Sequence, residues 1–346
     1  MKKFICILAV LSILISCFNI NCFAFGDNSD VISPPYAFVN NPNCKSSDIE
    51  NFIVLTKHAS GEITSESKDF SNNSVNQFSV NNNFVNVLKP YIPENSSYQY
   101  SVTSVNSTTD SYGRTPIFDS RAGLIASGFD TDEDGIADEW TYGTGSLQHY
   151  DIVISCAHIL WSPLYKDLDC EGWATELYYL GGVNGDKYTP LAYSSYSSIS
   201  ISQAYVNDSY VAPAPGGTYS IIGPFGYDWS IIQVADNIGG QLGWFGLHGC
   251  GTPETGVSIY TVGYPYDKGN YQSCSTGTLL SFNDNIVYHD AVTIYGDSGA
   301  PMLNNGYVYG VITGQEMSGQ FTGVRMFDEL FGMIVESRNE SEERWG

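Results

Sequence analysis

The stretch Tyr295-Gly296-Asp297-Ser298-Gly299-Ala300-Pro301 constrains this chain more than any other. Its two glycines let the backbone turn sharply and expose amide N–H groups. Such a turn aims the N–H groups of Gly296 and Ser298 at one point, where negative charge developing on an oxygen can be held. A serine hydroxyl is a weak nucleophile alone and needs a neighbouring base. The chain offers a histidine in Ser155-Cys156-Ala157-His158, just after the apolar run Ile152-Val153-Ile154. It offers an aspartate in Tyr227-Asp228-Trp229-Ser230-Ile231-Ile232. His158, Asp228 and Ser298 are spaced 70 residues apart each time, about one small barrel's worth of chain. A fold that uses the serine has to bring these three distant points together.

The order His, Asp, Ser separates this set from the α/β-hydrolase and subtilisin arrangements. The segments SCAHIL, DWSII and GDSGAP resemble the histidine, aspartate and serine motifs of chymotrypsin-like serine proteases. The closer likeness is to the secreted bacterial glutamyl-endopeptidase-type branch. Val262-Gly263-Tyr264-Pro265 followed by Asp267-Lys268 is similar to that branch's GYPGDK segment, and Tyr142-Gly143-Thr144-Gly145-Ser146-Leu147 to its strand before the histidine. The resemblance spans residues 121–336. It implies an all-β fold of two antiparallel six-stranded β-barrels, with His158 and Asp228 on the first and Ser298 on the second. It implies a secreted serine endopeptidase acting on protein or peptide substrates, with no cofactor in catalysis. Ser298 is then the nucleophile, His158 the base and Asp228 its orienting partner, with the N–H groups of Gly296 and Ser298 as the oxyanion hole. A catalytically silent, peptide- or surface-binding homologue is the rival reading. An ester hydrolase is disfavoured by the motif order.

The resemblance also places Val292, Thr293, Ile312 and Thr313 around the primary specificity pocket. Glutamate-specific relatives share a threonine at Thr293 but carry a histidine where this chain has Ile312. A substrate carboxylate would lose its polar partner there, so a neutral or apolar side chain fits better. The branch has a neutral residue at Asp297, whereas trypsin-type enzymes have an aspartate that pairs with a newly freed N-terminal amine. Two readings of Asp297 stay open: docking of a mature N-terminus, or hydrogen bonds to local backbone N–H groups.

Bulk composition narrows the partners. The 346 residues carry a formal net charge of -23, which argues against nucleic acid, since phosphate recognition uses Lys and Arg. Lys2 and Lys3, the apolar residues 5–15 and Cys22-Phe23-Ala24 form an export signal over 1–24. Leu14-Ile15-Ser16-Cys17 is a rival lipoprotein processing site at Cys17. No other stretch is long and apolar enough to cross a bilayer, and a secreted monomer is expected. Residues 25–114 are polar and Asn/Ser-rich and read as loosely structured. The resemblance implies a prosegment there and a zymogen; cleavage near Arg114 would start the mature chain near Thr115. A retained linker or small accessory domain is the alternative. Residues 115–238 and 239–346 are then the two barrels. Outside the signal lie Cys44, Cys156, Cys170, Cys250 and Cys274. Either Cys156 bridges to Cys170 and Cys250 to Cys274, or the thiols are free.

Asp130, Asp132 and Asp134 alternate before Gly135, as in calcium loops. With the carbonyl of Ile136, Asp138 and Glu139, they make an oxygen-rich set suited to a structural calcium ion; a solvated acidic turn is the alternative. Short β-runs are read at 122–127, 141–147, 152–154, 177–180, 188–193, 219–222 and 231–234. A second series falls at 256–263, 276–282, 286–289, 301–303 and 307–313. Phe327, Leu330, Phe331, Ile334 and Val335 recur at helical spacing and predict a C-terminal helix.

Overall fold

The computed structural model describes residues 36–40, 52–68, 87–93, 109–183, 185, 190–214, 219–249, 254–269, 271–283, 285–316 and 319–346. The signal, Cys17, Cys44 and Cys250, and the expectations placed on them, lie outside the described residues.

Two closed six-stranded antiparallel barrels form the body of the chain. The first runs Ser230–Val234, Ile152–Ser155, Glu139–Leu147, Ala122–Phe129, Glu176–Gly181 and Ala192–Ser202, which returns to Ser230–Val234. The second runs Pro301–Asn304, Ser258–Gly263, Ser273–Asn283, Ile286–His289, Phe321–Arg325 and Tyr307–Gln315, which returns to Pro301–Asn304. Closure needs long strands that change partner along their length. Ala192–Ser202 pairs with Glu176–Gly181 over its first residues, then shifts register between Tyr196 and Ser198 and pairs with Ser230–Val234. Ser273–Asn283 and Tyr307–Gln315 have equivalent shifts at Leu279/Ser281 and Ile312/Gly314. An irregularity of this kind bends a strand and turns a barrel corner.

Small residues let the barrels close tightly. Ala122–Phe129, sequence AGLIASGF, is buried at every position. A Cβ on Gly123 would stand 2.4 Å from the Tyr179 ring, so the glycine makes room for that buried tyrosine. The helix Asp328–Trp345 buries Leu330, Phe331, Met333, Ile334 and Val335. They join one core cluster with Ile152, Ile154 and Trp229 of the first barrel and Val262, Leu303 and Val311 of the second. Each fully buried aliphatic side chain contributes about 1.5–3 kcal/mol. The helix is thus fastened to both barrels by apolar contact.

Several expectations are corrected. Tyr219–Gly223 does not belong to the first barrel; it pairs with Tyr36–Asn40 and Tyr210–Pro213 in a separate three-stranded sheet. The barrel strand is instead Ala192–Ser202, and Phe321–Arg325 completes the second barrel. Cys156, Cys170 and Cys274 are free thiols, so the Cys156–Cys170 bridge is absent. Cys170 Sγ faces the carbonyl of Tyr165 at 3.7 Å, and Cys156 Sγ faces the ring of His158.

The polar upstream segment is also more ordered than its composition suggests. Phe52–His58 and Ile63–Lys68 form a hairpin, and Phe52–His58 pairs with Ala192–Ser202 from Val54↔Ser202 to His58↔Ser198. Val54 is buried, Lys57 Nζ donates to the Ala174 carbonyl at 3.1 Å, and Phe52 stacks on Trp229. Val87–Leu88 pairs with Gly246–His248, a strand next to the second barrel. Long-range pairing supplies here what local apolar periodicity does not.

Candidate active site

The strand Ile152–Ser155 is buried throughout and delivers His158 on the short 3-10 turn Ala157–Ile159. Asp228 follows a second 3-10 turn, Phe225–Tyr227, and precedes Ser230–Val234. These strands are antiparallel neighbours with Ser155 opposite Ser230. Residues just past the first strand and just before the second therefore meet at one end of the barrel. The Asp228 side chain is 0% exposed and accepts two hydrogen bonds from His158: from its backbone N–H at 2.9 Å and from Nδ1–H at 2.7 Å. That pairing fixes the tautomer, leaving Nε2 with a lone pair. Cys156 Sγ lies 3.6 Å from Nε2, and burial pushes its thiol well above the usual range. It therefore behaves as a neutral neighbour of the ring.

Ser298 sits on a turn closed by Asp297 N–H to the Ile294 carbonyl at 3.0 Å and Ala300 N–H to the Asp297 carbonyl at 2.9 Å. Gly296 and Gly299 have φ of 92° and 84°, left-handed values that favour glycine. The turn is bolted to the first barrel. Thr144 N–H donates to the Ser298 carbonyl at 2.8 Å, and Thr144 Oγ1 donates to the Gly296 carbonyl at 2.8 Å. A Cβ on Gly299 would stand 2.1 Å from Ser155 Oγ and 3.2 Å from the Cys156 nitrogen. The serine turn thus abuts the end of the strand that carries His158. Among the described residues, no hydrogen bond uses the N–H of Gly296 or Ser298.

The Tyr264-Pro265-Tyr266 segment backs the same turn. Tyr266 N–H donates to the Tyr295 carbonyl at 2.7 Å, and the Tyr264 carbonyl packs so closely that a Cβ on Gly296 would lie 2.2 Å from it. Asp297 is 4% exposed; its Oδ2 accepts the Ile294 N–H at 3.0 Å. Burial raises its carboxyl to about 7, against the Ile294 N–H and the Arg114 charge, which favour ionisation. Of the two readings of Asp297, the local backbone hydrogen bond is present.

The four pocket candidates flank this turn. Gly299 N–H donates to the Ile312 carbonyl, and Ile312 N–H to the Ala300 carbonyl. The Ile312 and Thr313 side chains are buried, and Thr313 Oγ1 is 3.3 Å from Thr322 Oγ1. Thr293 is buried and Val292 half-buried, on the residues leading into the turn. None of the four carries charge.

The acidic loop joins Ala122–Phe129 to Glu139–Leu147. It brings ligand atoms of Asp130, Asp132 and Asp138 within 4.8 Å of one another. Asp134, Ile136 and Glu139 fall outside that group: Asp134 accepts the Ile136 N–H, and Glu139 accepts the Tyr165 hydroxyl. Asp130 caps the N–H groups of Glu133 and Gly135, and Asp138 those of Thr131 and Asp132. Carboxylate oxygens make up the donor set, which suits a hard cation.

Nothing in the local sequence marks Thr144, although it lies in the segment Tyr142-Gly143-Thr144-Gly145-Ser146-Leu147. Its threefold use, by Ser298, Gly296 and Tyr264 N–H (3.0 Å to Oγ1), depends on a partner in the other barrel.

No family model matches the chain. Among solved structures, a Glu endopeptidase is similar with a TM-score of 0.52 and 19% identity, over 65% of this chain and 96% of that one. The chain has the chymotrypsin-like fold. Human heparin binding protein is also similar, at TM-score 0.42 and 15% identity over 63% of this chain and 90% of its own. So is a serine endoprotease from Yersinia pestis, at 0.39 and 15% over 64% and 63%. His158 and Asp228 pair at one end of the first barrel, and the turn carrying Ser298 packs on Thr144 and Ser155 of that barrel. Among the described residues, no helix is long and apolar enough to cross a membrane.

Proposed function

We propose that the protein is a secreted serine endopeptidase. Ser298 Oγ attacks the scissile carbonyl while His158 Nε2 takes its proton and then passes it to the leaving amine. The N–H groups of Gly296 and Ser298 hold the oxyanion, and water releases the acyl group from Ser298. Asp228 keeps the imidazole in the tautomer that can accept the proton. The observation that carries this reading is the two-point hold of His158 by buried Asp228, 2.9 and 2.7 Å, at the strand end against which the serine turn packs. The uncharged pocket candidates favour a neutral or apolar residue before the scissile bond rather than glutamate. The acidic loop, in the same reading, holds calcium through Asp130, Asp132 and Asp138 as a purely structural ion.

A fluorophosphonate probe tests the proposal. Wild type is expected to be labelled at Ser298 and Ser298→Ala to be silent. A folded wild type that resists the probe and cleaves no peptide, both intact and after a cut near Arg114, would make the protein a binding homologue instead.

A further inference from the structure

Arg114, marked by the sequence only as a cleavage point, is built into the support of the serine turn. Its side chain is 2% exposed. Nη1 donates to Asp267 Oδ1 at 2.8 Å and Nη2 to Asp267 Oδ2 at 2.5 Å, a two-pronged contact. Nε donates to Asp110 Oδ2 at 3.0 Å, and Lys268 Nζ lies 2.9 Å from the same oxygen. A planar guanidinium bonded to a carboxylate through two parallel N–H groups fixes direction as well as distance. Asp267 follows Tyr266, whose N–H holds the Tyr295 carbonyl, while the Tyr264 carbonyl packs on Gly296. A second tie runs alongside. Thr115–Pro116 pairs with Ser273–Cys274, and Gln272 Nε2 donates to the carbonyls of Asp119 and Ala122 and to the Tyr264 hydroxyl at 2.7 Å.

We propose that Arg114 is a positioning residue for the serine turn in the uncleaved chain, locking residues 109–116 onto the 264–268 turn that backs Tyr295 and Gly296. The inference rests on the endopeptidase reading. In trypsin-type enzymes the equivalent support is set by an amine freed on cleavage. Here a cation upstream in the intact chain acts on the same loop, and its charge also favours the ionised form of Asp297. Cleavage after Arg114 requires the guanidinium to leave two carboxylates and the Thr115–Pro116 strand to unpair. The bond is therefore shielded rather than presented.

The test uses full-length protein, with mass spectrometry verifying that residues 109–116 remain attached. Wild type, Arg114→Ala, Arg114→Lys and Asp267→Asn are compared for peptide-ester kcat and KM and for fluorophosphonate labelling rate. Intact wild type is expected to react. Arg114→Ala is expected to lose on the order of 100-fold in kcat and labelling rate, the scale of a roughly 1 Å misplacement. Its KM should stay within about twofold, and Arg114→Lys should recover part of the loss. If Arg114→Ala does not fold, Asp267→Asn carries the same test, since it leaves the guanidinium bonded to Asp110. Equal labelling of folded Arg114→Ala and wild type overturns the inference, as does labelling that appears only after a cut at Arg114. Failure of both intact and cut wild type to react overturns the endopeptidase reading itself.

Discussion

On the endopeptidase reading, replacing Asp228 by asparagine separates an orienting role of this side chain from its role in holding the fold. In the wild type, Oδ1 accepts the His158 backbone N–H and Oδ2 accepts Nδ1–H, with the carboxylate wholly buried. The asparagine oxygen can keep the backbone N–H, so one acceptor survives. Its NH2 group then faces Nδ1 and forces that nitrogen to accept, which moves the ring proton to Nε2. A protonated Nε2 cannot take the Ser298 proton. In chymotrypsin-type triads this change of tautomer costs about 10⁴-fold in rate, equivalent to about 5.5 kcal/mol of barrier. The stability cost is smaller, about 1.5–3 kcal/mol, since the backbone N–H keeps an acceptor and the charge-assisted bond to Nδ1 is exchanged for a neutral one. Asp228→Ala removes both acceptors and should destabilise by roughly 3–6 kcal/mol. Ester hydrolysis and urea unfolding on the same preparations read the two effects. A folded Asp228→Asn protein within tenfold of wild-type rate would refute the tautomer argument.

Three further outcomes are expected. Gly296→Ala introduces a left-handed alanine, costing about 1–2 kcal/mol, and sets a Cβ 2.2 Å from the Tyr264 carbonyl. Displacing one oxyanion donor should slow fluorophosphonate labelling by about 100- to 1000-fold, and unchanged labelling would show that this turn does not aim the N–H. Asp297 has a folded value of about 7 against ~3.9 in the unfolded chain. The folded state then holds a proton the unfolded chain has lost, so its contribution to stability falls as pH rises through that window. Buried His149 and His289, both lowered to about 4 by burial, tilt the opposite way and lose stability as pH falls below their unfolded value. The difference between wild type and Asp297→Asn isolates the carboxyl. It should change by about 2.6 kcal/mol between about pH 5 and about pH 8, and no change in that difference contradicts the assigned burial effect. Finally, calcium should raise the thermal midpoint of wild type but not of Asp130→Asn. At a hundredfold excess over Kd the gain is about 2.7 kcal/mol, and equal responses in the two proteins would remove the metal from the acidic loop.

Much of the architecture is legible where a strand is apolar and short. Ile152-Val153-Ile154, the run before Tyr264 and the helical spacing of Leu330 to Val335 all lie in the elements expected of them, with Phe327 as the residue that caps the helix. Ala192–Ser202 is harder to read, because its serines and tyrosines carry little hydrophobic contrast and its register shift hides the alternation. Tyr219–Gly223 looks like a barrel strand from composition alone; its partner Tyr36–Asn40 lies far upstream, and pairing across such a distance leaves no local mark. The hairpin Phe52–Lys68 shows the same limit: the unpaired face of Ile63–Lys68 is polar, and its order comes from Ala192–Ser202. Cysteine spacing suggests a bridge that the geometry does not make, because Cys156 points toward the His158 ring.

The amino-acid order by itself determined which side chains could do chemistry. A serine between glycines, a histidine after an apolar strand and an aspartate before another are local patterns, and local patterns survive in a string of letters. The tertiary structure decided how those groups are held. Thr144 grips the serine turn from the other barrel, Arg114 reaches Asp267 across 153 positions, and Asp228 meets His158 because two strands pair in one register. These contacts depend on chain closure, whose geometry is set by many weak pairings at once, so no single segment announces them.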